Sequence, residues 1–144
     1  MIRFAMTALV ALAVFLPGQA MAQEDAAKEA PRTFEIEEGD TTYTMKRYVF
    51  VILLRGESAF DYTEAQLDSL QKGHMENMDK LAEEGILLIA GPFGEGGDHR
   101  GILVMDCASI EEAKSYVDND PAVQAGRLRG EYHTWWGAVG TQLK

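Results

Sequence analysis

The sequence predicts an α+β domain with the element order β-α-β-β-α-β. Three observations carry this. The runs Tyr48–Leu54 (YVFVILL), Ile86–Ala90 (ILLIA) and Gly101–Asp106 (GILVMD) are short, apolar and rich in β-branched residues, as buried strands are. Thr63 to Glu84 instead repeats its apolar residues at steps of three and four, the period of an amphipathic helix. A second helical segment, opening at Ser109, separates the third apolar run from a fourth, Leu128–Trp136.

The chain begins with a segment that is not fold. Arg3 precedes the apolar run Phe4–Leu16, then Pro17-Gly18, then Ala20-Met21-Ala22. A basic start, a short apolar core and an A-x-A site make a secretory signal peptide over residues 1–22. The run is too short to span a bilayer, which takes about 20 residues, so no stable membrane anchor is expected after cleavage. The mature protein is expected in the periplasm or secreted. Residues 23–45 form a polar leader, in which Phe34–Met45 alternates on both sides of Gly39-Asp40 as a small extra hairpin would.

The domain proper is expected over 46–144. Its first strand is Tyr48–Leu54. The helix that follows has Thr63 as its cap and Gln66 three residues on, a Thr-x-x-Gln capping box, and Gly85 to end it. Leu67, Leu70, His74, Met78 and Leu81 fall on one stripe. Gly91-Pro92 is expected to stop the Ile86–Ala90 strand, because proline has no amide for a ladder. Ser109 and Glu112 read as a second capping box, for a helix to about Val117. Asp120 then caps a short turn with Pro121 at its first position, and Gly126 ends it.

This order is the ferredoxin-like, or split βαβ, pattern, in which both helices cover one face of an antiparallel sheet. Three of the strands are apolar on both faces. Two helices bury one face only, and the other is expected to pack against a second subunit as a homodimer.

Composition excludes some classes. Against 13 Lys and Arg the chain has 23 Asp and Glu, a net charge of −10, which argues against nucleic acid and anionic membrane as partners. The single cysteine, Cys107, can form no internal disulfide and reads as a small buried hydrophobe. Gly94–Gly97 is not a phosphate loop, since no Lys-Ser/Thr follows and no helix opens there.

His74 is the residue with chemistry to offer. On an apolar stripe a histidine is ordinarily a satisfied core residue, and the functional reading is an acid–base group. Asp120 is ordinarily a cap; the functional reading is a carboxylate that holds one ring nitrogen of His74 and raises the basicity of the other. Nothing in the spacing decides that they meet. His133 and Trp135 share one face of the last strand, while Tyr132, Thr134 and Trp136 share the other. Arg127 and Arg129 are either solvated or hold an anion. A metal on His74, Asp120 and His133 lacks any close His-x-His or His-x-x-x-His spacing, and neither metal nor cofactor is expected.

The same residues resemble the YciI-like (YCII-related) family from about Tyr48 to Gly137. The resemblance rests on Gly73-His74-Met75, Glu84-Gly85 before Ile86-Leu87-Leu88, Ala90-Gly91-Pro92, Glu111-Glu112-Ala113, the stretch Asn119 to Gly126 (NDPAVQAG), and His133-Thr134-Trp135-Trp136-Gly137. One branch usually has proline at the position of Thr134. The resemblance implies a dimeric α+β barrel built on the ferredoxin-like fold, with His74 and Asp120 as the active-site pair. A few members act as dehydrochlorinases on chlorinated aromatics. Many relatives look cytoplasmic, so the signal peptide is a departure. The expectation is an exported small-molecule enzyme of lyase, isomerase or dehydrochlorinase-like type. His74 and Asp120 would be catalytic, and Gly91, Pro92, Arg127, His133 and Trp135 would contact an unknown small molecule. The alternative is a non-catalytic module binding a small ligand in the same pocket.

Overall fold

A computed structural model describes residues 32–143, and the expected signal peptide with most of the leader's first half lies outside them. The elements are β1 (Thr33–Glu38), β2 (Thr41–Arg55), α1 (Glu64–Glu83), β3 (Leu87–Pro92), β4 (His99–Met105), α2 (Ile110–Asp118), α3 (Pro121–Gln124) and β5 (Leu128–Ala138). All the strand pairings are antiparallel. β5 runs along one edge of β2 over Met45–Arg55. On the other edge β1 pairs the first part of β2 and β4 pairs the second, with β3 outside β4. The order β3-β4-β2-β5 is that of a ferredoxin-like sheet.

The leader hairpin is continuous with the domain. β1 and β2 turn at Gly39-Asp40, and β2 runs unbroken from Thr41 to Arg55. Phe34 packs edge-on against Trp136 at 4.8 Å between ring centroids, so β1 also touches the last strand.

The core assigns the faces. Val49, Val51 and Leu53 of β2 cluster with Leu103 and Met105 of β4, Met78 and Leu81 of α1, Val117 of α2 and Ala122 of α3. Alternate residues of one strand thus meet all three helices, because side chains along a strand alternate between faces. The intervening residues Tyr48, Phe50, Ile52 and Leu54 occupy the other face, opposite Trp135, His133, Glu131 and Arg129 of β5.

Local signals set the helix ends. The Thr63 box forms, with Gln66 N–H donating to Thr63 Oγ1 and Thr63 N–H donating to Gln66 Oε1. Gly85 and Gly126 stand at φ 73° and 67°, the left-handed region that glycine enters without a Cβ clash. The second box differs from expectation. Glu112 N–H donates to Ser109 Oγ, but the Glu112 carboxylate accepts from Ala108 N–H, one residue earlier.

β3 also departs from expectation by running through Gly91 and Pro92. The Phe93 N–H donates to the Arg100 carbonyl, so the neighbouring Pro92 nitrogen points away from β4. On an edge strand that side needs no donor, and proline is tolerated there.

Candidate active site

The site begins with α1. Its buried stripe brings Met78 and Leu81 into the core and leaves His74, one turn earlier, with 13% of its side chain exposed. Beyond β3, β4 and α2, Asp120 caps α3, and its side chain is 1% exposed. The His74 Nδ1 and Asp120 Oδ2 atoms are 2.9 Å apart. Asn77 Nδ2 donates to the same oxygen at 3.0 Å. The other oxygen, Oδ1, accepts from Ala122 N–H at 2.9 Å. Asp120 is therefore a cap and a histidine partner at once, one oxygen for each task.

These contacts set its charge. Burial by itself pushes the Asp120 carboxyl upward, but hydrogen bonds from His74, Asn77 and Ala122 favour the anion more strongly, and its pKa falls below the ordinary carboxylate value. An ionised carboxylate only accepts, so Nδ1 of His74 must carry the proton. In the neutral ring Nε2 is then the basic nitrogen.

Close helix packing makes the pairing possible. A Cβ on Gly73 would stand 3.1 Å from Cγ of Pro121, tighter than ordinary carbon contact. Glycine costs about 1 kcal/mol against alanine inside a helix, and here its missing side chain admits α3 to α1 beside the pair. The Tyr62 hydroxyl donates to the Ala125 carbonyl and ties the start of α1 to the far end of α3.

His74 lines a cavity of about 510 Å³, within the usual size for small-molecule sites. Leu53, Met78, Leu103 and Leu128 form its apolar interior, with Gly91 and Pro92 in its wall and Arg127 at its rim. Arg127 Nη1 donates to Gln71 Oε1 at 3.0 Å. Asp120 does not line the cavity; it stands behind the imidazole and holds it.

Two expected pocket residues are elsewhere. His133 and Trp135 project from the face of β5 away from the helices, opposite Phe50 and Tyr48. Trp135 lies against those two rings, at 5.9 Å from Tyr48 and 6.4 Å from Phe50. His133 Nε2 bonds Glu131 Oε1 at 2.8 Å. The sheet thus separates His133 from His74 and Asp120, and the three cannot share a metal. Arg129 likewise leaves Arg127 and pairs with Asp98 at 3.3 Å. Cys107 is buried, and burial with Glu112 and Asp106 nearby pushes its thiol up to about 11, so it is not a nucleophile at neutral pH.

Sequence reasoning missed Asn77, Arg55 and Arg100. Asn77 had a signal: it follows His74 by three residues, which places both on adjacent positions of one helix face. Arg100 had none. It is the extra residue where the pairing of β2 with β4 shifts between Leu53 and Leu54, and such a bulge re-aims a side chain.

The fold and the cavity define a small ferredoxin-like α+β domain whose pocket is flanked by a histidine on a buried carboxylate. The chain belongs to the YCII-related family, whose domain pattern matches residues 47–132. Protein YciI of Escherichia coli O6:H1 is 32% identical, over 45% of this chain and 81% of its own length, and so is protein YciI of Shigella flexneri. Among solved structures, 5-chloro-2-hydroxyhydroquinone dehydrochlorinase of Burkholderia phenoliruptrix AC1100, in complex with 2,5-dihydroxybenzoquinone, is 24% identical. It matches over 60% of this chain and 92% of its own, with a TM-score of 0.44.

Proposed function

We propose that the protein is a small-molecule enzyme of lyase or isomerase type, dehydrochlorination being one such reaction, with His74 as its acid–base group. The observation that carries this is the imidazole at the cavity wall backed by the buried Asp120 carboxylate at 2.9 Å. Nε2 takes a proton from a substrate carbon or oxygen. The electron pair left behind expels a leaving group or returns the proton at another atom. Asp120 stabilises the imidazolium formed meanwhile and keeps the ring in register. Gly91 and Pro92 shape the wall without polar side chains to compete for the substrate.

A deuterium-exchange screen tests it. Small molecules with an activated C–H bond, quinols and carbonyl compounds among them, are incubated with the protein in D2O and followed by NMR. The expected result is catalysed exchange or elimination that falls at least about 100-fold in His74→Gln, the usual scale of general-base catalysis. Ligand binding without turnover, unchanged by His74→Gln, would instead mark a binding module.

The same reading includes a homodimer packed through the open sheet face, which carries Tyr48, Phe50 and Ile52, with Leu88 and Trp135 substantially exposed. Light scattering at micromolar concentration should give twice the monomer mass, and a stable monomer would remove this part. Export rests on the pattern of residues 1–22. No described helix is long and apolar enough to cross a membrane. Intact-mass measurement of protein from the native host should show a start near Gln23; a species retaining Met1 in the cytoplasm would remove export.

A further inference from the structure

We propose that Arg55, Arg100 and Arg127 make the cavity selective for a small organic anion, an apolar body carrying negatively charged oxygen. The inference deepens the acid–base reading above and rests on the same cavity being the ligand site. Three observations support it.

The first is charge segregation. The chain has 23 acidic residues against 13 basic ones, yet among the described residues three arginines line the cavity and no aspartate or glutamate does. An acidic protein that places cations alone around one apolar cavity concentrates positive potential there.

The second is the state of the arginines. Among the described residues none of the three is ion-paired with a carboxylate, whereas Arg32, Arg129, Lys46 and Lys114 each are. A guanidinium offers five N–H donors. Arg55 Nη2 gives one to the Gly97 carbonyl at 2.9 Å, and Arg100 Nη1 reaches the same oxygen at 3.5 Å. One carbonyl thus holds two guanidinium groups side by side. Their repulsion is relieved by an anion, and guanidinium donors match a carboxylate or phenolate oxygen in a forked geometry.

The third is placement. Arg55 ends β2, Arg100 occupies the bulge of β4, and Arg127 immediately precedes β5, so neighbouring strands deliver the cations to one end of the sheet. His74 arrives from α1, and Met75, Met78, Ile102 and Leu103 complete the lining. Phe60 lies at the rim with the Arg55 guanidinium 5.1 Å from its ring centroid, which keeps that cation beside the opening. A ligand with its charge on the arginines would lay its apolar part along Met75, Met78 and Leu103, within reach of the imidazole. A cation near the reacting atoms would also stabilise the enolate or phenolate that proton removal creates.

Calorimetric titration of the purified protein with benzoate, phthalate and cyclohexanecarboxylate, each beside its neutral amide, tests the proposal. At least one anion should bind about 10-fold or more tightly than its amide, as expected for charge-assisted hydrogen bonds. Arg100→Gln and Arg55→Gln should each erase most of that preference, and Arg100→Lys should retain part of it. His74→Gln should keep the preference whether or not the protein turns over any substrate, which separates this test from that of the acid–base role. Equal affinity for anion and amide, a preference untouched by both glutamine variants, or no saturable binding of any anion at millimolar concentration would overturn it. The wild-type comparison of anion with amide stands even if a variant folds poorly.

Discussion

Among the described residues are two histidine–carboxylate pairs of nearly the same length, one on each face of the sheet. His74 and Asp120 are 2.9 Å apart, with 13% and 1% of their side chains exposed. His133 and Glu131 are 2.8 Å apart, with 51% and 50% exposed. Distance alone does not distinguish them. Around Asp120, Asn77 and the Ala122 amide add two further donors, and a turn of helix depends on the same carboxylate. Glu131, by contrast, is half exposed in the single protomer and sits on a flexible stem. Its pair is screened and contributes little, as surface ion pairs generally do. A short contact becomes a fixed device when burial and further hydrogen bonds leave it no alternative geometry.

The largest expected difference follows from deleting each carboxylate. Asp120→Ala removes a cap and strands the donors of His74, Asn77 and Ala122 inside the protein. It should cost about 3–5 kcal/mol in urea unfolding, the scale for breaking a buried pair. Glu131→Ala should cost the single protomer no more than about 1 kcal/mol, measured below the concentration at which the open sheet faces associate. Equal losses would erase the distinction between the two pairs.

Acid separates the native site from its amide variant by a smaller amount. The folded-state pKa of Asp120 is depressed, so its stabilisation is complete above the unfolded value of about 4 and is lost as pH falls through the lower folded value. The stability gap between wild type and Asp120→Asn should therefore narrow as pH falls below about 4. Asp106, which Lys46 and Arg32 also depress against the upward push of burial, is present in both proteins and cancels from the gap. A gap that widens below about pH 4 would contradict the depressed pKa.

The smallest effect belongs to Gly73→Ala. Alanine favours the helix by about 1 kcal/mol, while its Cβ presses on Pro121 at 3.1 Å, so net stability should move by less than about 1 kcal/mol. The displacement of α3 should appear instead in the imidazole nitrogen shifts of His74 by NMR. Unchanged shifts would show that the pair does not depend on this close approach.

Much of the architecture could be read from neighbours in the chain. Thr63 with Gln66, Gly85, and Asp120 with Pro121 are contacts within one turn, and side chains three residues apart meet whatever the rest of the chain does. The helical period turned His74 inward for the same local reason, and alternation put His133 with Trp135 on one side of β5 and Tyr132 with Thr134 on the other. Local rules also failed in local ways, as when Glu112 found Ala108 N–H rather than that of Ser109. Tertiary structure alone decided which side of β5 faces the helices, since strand parity says that two faces exist and only packing says which is covered. It parted Arg127 from Arg129 and, through the bulge in β4, brought Arg100 to Arg55. Above all it joined His74 to Asp120 across 46 positions. That contact depends on α1 and α3 docking on one sheet face, a long-range event that no spacing along the chain encodes.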